Sequence, residues 1–99
     1  MVKLVVLYGA PEDPAAFDDH YATTHVPLAE KIPNMRRFEY GKVLGTPDGA
    51  PAPFYYLAEL WFDSADELAA AMGSPEGAAA GGDVANFATG GVTMMIAQA

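Results

Sequence analysis

The hydrophobic pattern opens with KLVVLY, Lys3 to Tyr8, a β-branched apolar run that predicts a central strand. A loop with Pro11 and Pro14 follows. From there the period changes. Phe17, Tyr21, Leu28 and Ile32 recur at helical spacings, so they share one face of a helix predicted from about Pro14 to about Ile32. His25 falls on the same stripe, four after Tyr21 and three before Leu28. Pro27 interrupts this helix and disfavours the α conformation at Val26. A kink or restart is therefore predicted just after His25, with freed backbone carbonyls near its ring. Pro33-Asn34 ends the helix. Met35 to Val43 and Phe54 to Phe62 read as strands, joined by a loop holding Pro47, Pro51 and Pro53. Ser64 followed by Glu67 is a capping box, and it opens a helix ending near Gly73. Ser74-Pro75 starts a second, weaker helix, because Gly77, Gly81 and Gly82 each cost about 1 kcal/mol relative to alanine. Val92 to Ala97 is the last strand.

The predicted order is β-α-β-β-α-β, an α+β fold of the ferredoxin-like type: a four-stranded antiparallel sheet with helices on one face. The other face ought to be polar, yet it is not. In the third strand Phe54, Tyr56, Ala58, Leu60 and Phe62 point one way; Tyr55, Leu57, Glu59 and Trp61 point the other. In the last strand Val92, Met94 and Ile96 oppose Thr93, Met95 and Ala97. Both faces require burial, and the simplest solution is a homodimer with two sheets packed face to face.

Composition narrows the field. The chain has 99 residues, enough for one domain spanning residues 1–99 with a modest core. Hydrophobic residues make up 52% and charged ones 18%, which excludes disorder. With 13 acidic against 5 basic residues the net charge is -8, so nucleic acid and anionic membrane surfaces are not expected partners. Without cysteine there is no thiolate chemistry. No segment reads as a membrane span or secretory signal, and a cytoplasmic location is the default expectation. No phosphate-binding loop or serine nucleophile motif is present.

His25 carries the candidate chemistry. A histidine on a core-facing stripe must find a hydrogen-bond partner or line a cavity. In an apolar pocket it could take a proton from an acidic phenol or enol carbon, or donate one. Alternatively it ties the Pro27 kink to the sheet. His20, five residues earlier, reads as a solvated side chain off that face. The same spacing of five argues against a metal site, and none is expected. A haem held by His25 would lack basic partners for its propionates. Glu59, between Leu57 and Trp61, needs a cation, for which Arg37 or Lys42 on the second strand are the candidates.

His20-Tyr21, His25 and Pro27-Leu28, with Trp61-Phe62-Asp63-Ser64, Glu67-Leu68 and Ser74-Pro75-Glu76, resemble the EthD family of dimeric α/β-barrel proteins. The resemblance covers nearly the whole chain. It implies two sheets closing into a barrel with helices outside, and a pocket between helices and sheet. Relatives in that superfamily include cofactor-free monooxygenases, isomerases and polyketide-tailoring enzymes. Carried over residue by residue, the resemblance puts His25 and Tyr21 at the pocket, opposite Tyr56 and Phe62. Phe17 and Leu28, on the helical stripe, complete the candidate ligand-binding set. The expected function is a small catabolic or tailoring protein that binds an apolar or aromatic compound without a cofactor. It would act as an oxidoreductase or isomerase, with His25 as the proton-transfer group. The alternatives are a non-enzymatic binding or accessory protein for a partner oxidase, and a protein whose pocket is filled and idle.

Overall fold

A computed structural model describes residues 1–99. Its elements follow the predicted order: β1 (Val2–Tyr8), α1 (Pro14–His20), a π-helical turn (Tyr21–His25), α2 (Val26–Ala29), β2 (Arg37–Lys42), β3 (Tyr56–Phe62), α3 (Ala65–Met72), α4 (Pro75–Asp83), a 3-10 turn (Val84–Asn86) and β4 (Val92–Gln98). The sheet order is β2-β3-β1-β4, and every neighbouring pair is antiparallel. This is the ferredoxin-like α+β arrangement.

Local chemistry sets the helix starts. Asp13 caps α1 by accepting from the Ala16 N–H, with Pro14 in the first turn. Ser64 caps α3 through the Glu67 N–H, and Ser74 caps α4 through the Gly77 N–H. The glycine-rich α4 forms behind its Ser74 cap, with Pro75 in the first turn, and one of its glycines is required by packing. A Cβ on Gly77 would lie 2.2 Å from the Ala71 carbonyl oxygen, so only glycine lets α4 come this close to α3.

One core of 17 buried hydrophobic residues lies between helices and sheet. Leu4, Val6 and Tyr8 of β1 pair across to Leu60, Ala58 and Tyr56 of β3, and all six face the helices. The opposite face carries Val5 and Leu7 of β1 beside Leu57 of β3, with Trp61 at one end. Its charges are paired. Lys3 Nζ meets Glu59 Oε2 at 2.6 Å, and Arg37 meets Glu39. Lys3 and Arg37 lie over the Trp61 ring at 5.3 and 4.9 Å. The partner of Glu59 is thus Lys3 from the neighbouring β1, rather than Arg37 or Lys42. Register explains this, since Val5 lies opposite Glu59 and Lys3 sits two residues along on the same face. Lys42 pairs instead with Asp18 of α1. The edge strand β4 is open on both faces: Val92, Met94, Met95 and Ile96 are 39 to 61% exposed. No helix is long and apolar enough to cross a membrane.

Candidate functional site

The site begins with the wide turn at Tyr21–His25. The Val26 N–H donates to the Tyr21 carbonyl, five residues back rather than four. In an α-helix, residues five apart point about 140° away from each other. The π turn closes that angle, so His20 and His25 reach the same side. The helix then restarts at Val26 with Pro27 in its first turn, where the missing N–H costs no bond.

Both histidines converge on Asp83, the last residue of α4. His25 Nδ1 lies 3.0 Å from Oδ2. His20 Nε2 lies 2.9 Å from Oδ1 and 3.0 Å from Oδ2. The Asn86 side-chain amide donates to Oδ1 at 3.0 Å. His25 and Asp83 are each only 6% exposed. Burial acts to raise the Asp83 carboxyl, but the hydrogen bonds from Asn86, His20 and His25 outweigh it and hold the carboxyl below its ordinary range. An ionised carboxylate only accepts, so the proton shared with His25 belongs to Nδ1. Burial pushes the His25 imidazole below its ordinary value, with Asp83 offsetting part of that fall. The result is a neutral ring with Nδ1–H on Asp83 and a bare Nε2 that no protein group engages. Phe87 packs against both imidazoles, with centroids 4.8 Å from His25 and 5.2 Å from His20.

His25 lines a cavity between helices and sheet, together with Tyr8, Tyr21, Phe38, Gly81 and Met94. Thirteen of its 15 lining residues are hydrophobic, which makes a charged ligand costly to house. Its volume is about 40 Å³, room for about three water molecules at ~10–15 Å³ each. Tyr21 is 1% exposed, and its hydroxyl is buried without a hydrogen-bond partner. Burial drives the Tyr8 and Tyr21 phenols well above the usual tyrosine range, so both stay protonated.

Of the residues marked from sequence, Tyr21 and His25 meet at this cavity. Phe17 and Tyr56 stand behind Tyr21, with ring centroids 5.8 and 4.4 Å from it, in an aromatic cluster with Tyr8 and Phe87. Phe62 is fully buried opposite Val2, six residues along β3 from Tyr56. Alternation gives the face of a strand residue but not its distance from the site. Leu28 is half-buried against the core. The extra residue in the π turn shifts the helical phase, and Val26, Ala29 and Ile32 take the buried positions after it. His20 is not a free solvated side chain, because the same turn swings it onto Asp83. Nor does a freed carbonyl hold the His25 ring; Asp83 does. His20 Nε2 and His25 Nδ1 are each engaged by Asp83 at hydrogen-bond length, and no group of three or more His, Cys, Asp or Glu side chains is arranged to hold a metal ion.

Asp83, Asn86, Tyr8 and Phe87 were not marked from sequence. Asp83 does carry a signal. It is a lone carboxylate at the C-terminal end of a helix, where the dipole disfavours it, in the otherwise uncharged stretch from Gly77 to Ala99. Such a residue needs a buried cationic or donor partner.

A small ferredoxin-like α+β protein with a histidine-lined pocket between helices and sheet is the class that fold and site define. The profile of the EthD domain matches residues 10–91, and the chain belongs to the EthD family. It is 50% identical over 95 residues, 96% of this chain and 91% of the other, to an uncharacterised 11.0 kDa protein of the thcB-thcC intergenic region of Rhodococcus erythropolis. It is also similar to an EthD family protein of Bacillus halodurans, with 42% identity, TM-score 0.93 and coverage of 100% and 98% of the two chains. At lower identity it shares its fold with two further structures. One is a dimeric ferredoxin-like protein of Thermobifida fusca (17%, TM-score 0.74, coverage 98% and 90%). The other is SnoaB, a cofactor-independent oxygenase of Streptomyces nogalater (18%, TM-score 0.66, coverage 99% and 91%).

Proposed function

We propose that this protein binds a small, uncharged aromatic or apolar compound in the cavity beside His25 and moves a proton to or from it without a resident cofactor. The observation that carries this reading is the His25–Asp83 pair. A buried carboxylate fixes one ring nitrogen, and the other is left bare beside an apolar cavity. The Tyr21 hydroxyl, buried and unpartnered, supplies the polar contact that would orient a ligand hydroxyl or carbonyl. Ligand deprotonation at a phenol or enolisable carbon is the first step shared by cofactor-free oxygenation and by isomerisation. A fold relative that is a cofactor-independent oxygenase supports the compatibility of this scaffold with the former.

A cavity of about 40 Å³ does not admit an aromatic ring as it stands. The walls that can give way are Met72 and Met94, flexible thioethers, the latter half-exposed on β4. The working form in this reading is a homodimer joined through the open sheet face, as supported by the apolar Val5, Leu7 and Leu57 on it and by dimeric fold relatives.

The test uses 2-tetralone, an aromatic ketone with an acidic carbon. Binding is followed by shifts of the His25 ring and Met94 methyl resonances. Catalysis is followed by the rate of deuterium uptake at the acidic carbon. Wild type is expected to bind and to accelerate exchange, and His25→Gln to bind without accelerating it. Binding with no acceleration in wild type favours the accessory-protein reading; the absence of both from 2-tetralone and from a matched small phenol overturns the ligand-binding proposal.

A further inference from the structure

Asp83 serves two imidazoles with one negative charge. His25 reaches it from the cavity side. His20 reaches it from an outer groove, which His20 shares with Asn86, Phe87, Glu12 and Asp13. Asp83 Oδ2 is 3.0 Å from both rings, so one oxygen accepts from both histidines and one charge is shared between them. His20 is partly open to solvent, with its side chain 29% exposed, against 8% for His25.

We propose that His20 sets the charge available to the catalytic pair: a proton held on His20 neutralises Asp83 and bars a second proton from His25, and loss of that proton lets Asp83 stabilise one arriving at His25 from the cavity. His20 acts here through Asp83 and is a positioning residue. The geometry behind this is the π turn, which brings residues five apart onto one carboxylate. The surroundings leave the exchange between these groups unchallenged. No lysine or arginine lines the cavity or the groove. From β1 the titratable neighbour is the Tyr8 phenol, from the π turn the Tyr21 phenol, and from α4 Asp83 alone. Glu12 and Asp13, on the loop before α1, face His20 and not the cavity. The arrangement gives a buried base a link to solvent. The proton lost by the ligand remains in the site on His25, and the charge it brings is accommodated only while His20 is neutral.

This inference rests on the reading of His25 as the proton-transfer group for its purpose, but not for its test, which needs no ligand. The chain has 2 histidines, so their ring resonances are assigned by a single substitution. The pH titration of His25 is followed by NMR in the intact protein, in His20→Gln and in His20→Arg. The neutral variant frees Asp83, and the midpoint of His25 is expected to rise by about one unit. The permanently charged variant occupies Asp83, and the midpoint is expected to fall by a similar amount. A merely structural role for His20 would move both variants the same way, through loosened packing. Shifts in opposite directions support the proposal. Shifts in one direction, or no shift in either variant, overturn it, and neither result bears on whether His25 transfers a proton to or from a ligand.

Discussion

At the residue scale, the Asp83 carboxylate is what turns His25 from a buried liability into a base. Removing it leaves the His25 Nδ1–H buried and unpaired, at a cost of about 1–3 kcal/mol. Asp83→Ala is thus expected to lower the unfolding free energy measured by chemical denaturation by that amount, and to lose the acceleration of deuterium exchange into 2-tetralone as His25→Gln does. Acid sensitivity follows from the same pair. Burial depresses the folded-state value of His25 below its ordinary 6.5, so the unfolded chain binds this proton first. The stability tied to His25 is therefore complete above about 6.5 and is lost as pH falls from there through the folded value. Asp83, also depressed from its ordinary 3.8, adds a separate loss at lower pH. Denaturant midpoints measured from neutral to mildly acidic pH are expected to fall more steeply in wild type than in His25→Gln across the histidine window. His25 was legible because it broke an apolar stripe. Asp83 was not, because nothing in the sequence ties it to a histidine 58 positions away.

At the element scale, one inserted turn organises the site. Hydrophobic spacing read the helix from Pro14 to Ile32 as a single stripe, and that stripe is right as far as His25. Beyond it the π turn shifts the phase, which moves Leu28 off the buried face and brings His20 into the site. A period of 3.6 carries no sign of a residue wound in at another pitch. The strands and caps were more readable, since Ser64 and Ser74 act on neighbours three residues away. Harder to read from sequence is α4, where Gly77 looks like a helix breaker and serves as a packing contact. Gly77→Ala places a methyl group against the Ala71 carbonyl and must lever α4 away from α3. We expect a loss of about 1–3 kcal/mol in chemical denaturation, accompanied by a changed His25 ring resonance, because Asp83 rides on the far end of the same helix. Gly81→Ala has open space around its Cβ and serves as the control.

At the scale of the whole molecule, the helix-covered face holds one core and the opposite face holds paired charges around an apolar centre. Phe62, fully buried, belongs to the first, and Phe62→Ala is expected to cost about 3–5 kcal/mol. Leu57 belongs to the second. It lies opposite Leu7 and Gly41 across its two ladders. Leu57→Lys is expected to leave the protomer folded by circular dichroism and to convert a dimer mass in light scattering to a monomer mass. A monomer mass for wild type at micromolar concentration removes the dimer from this account. The face alternation that argued for a covered sheet was readable in the strands; the Lys3–Glu59 pairing that tempers it depended on register, which sequence alone does not set. The proposed function, in monomer or dimer, turns on the state of one ring. The nitrogen-15 spectrum of the His25 imidazole in the intact, ligand-free protein near neutral pH measures it directly. The expected result is a neutral ring, protonated at Nδ1 and bare at Nε2. A proton found on Nε2 with Nδ1 bare, or a ring charged at that pH, would contradict it.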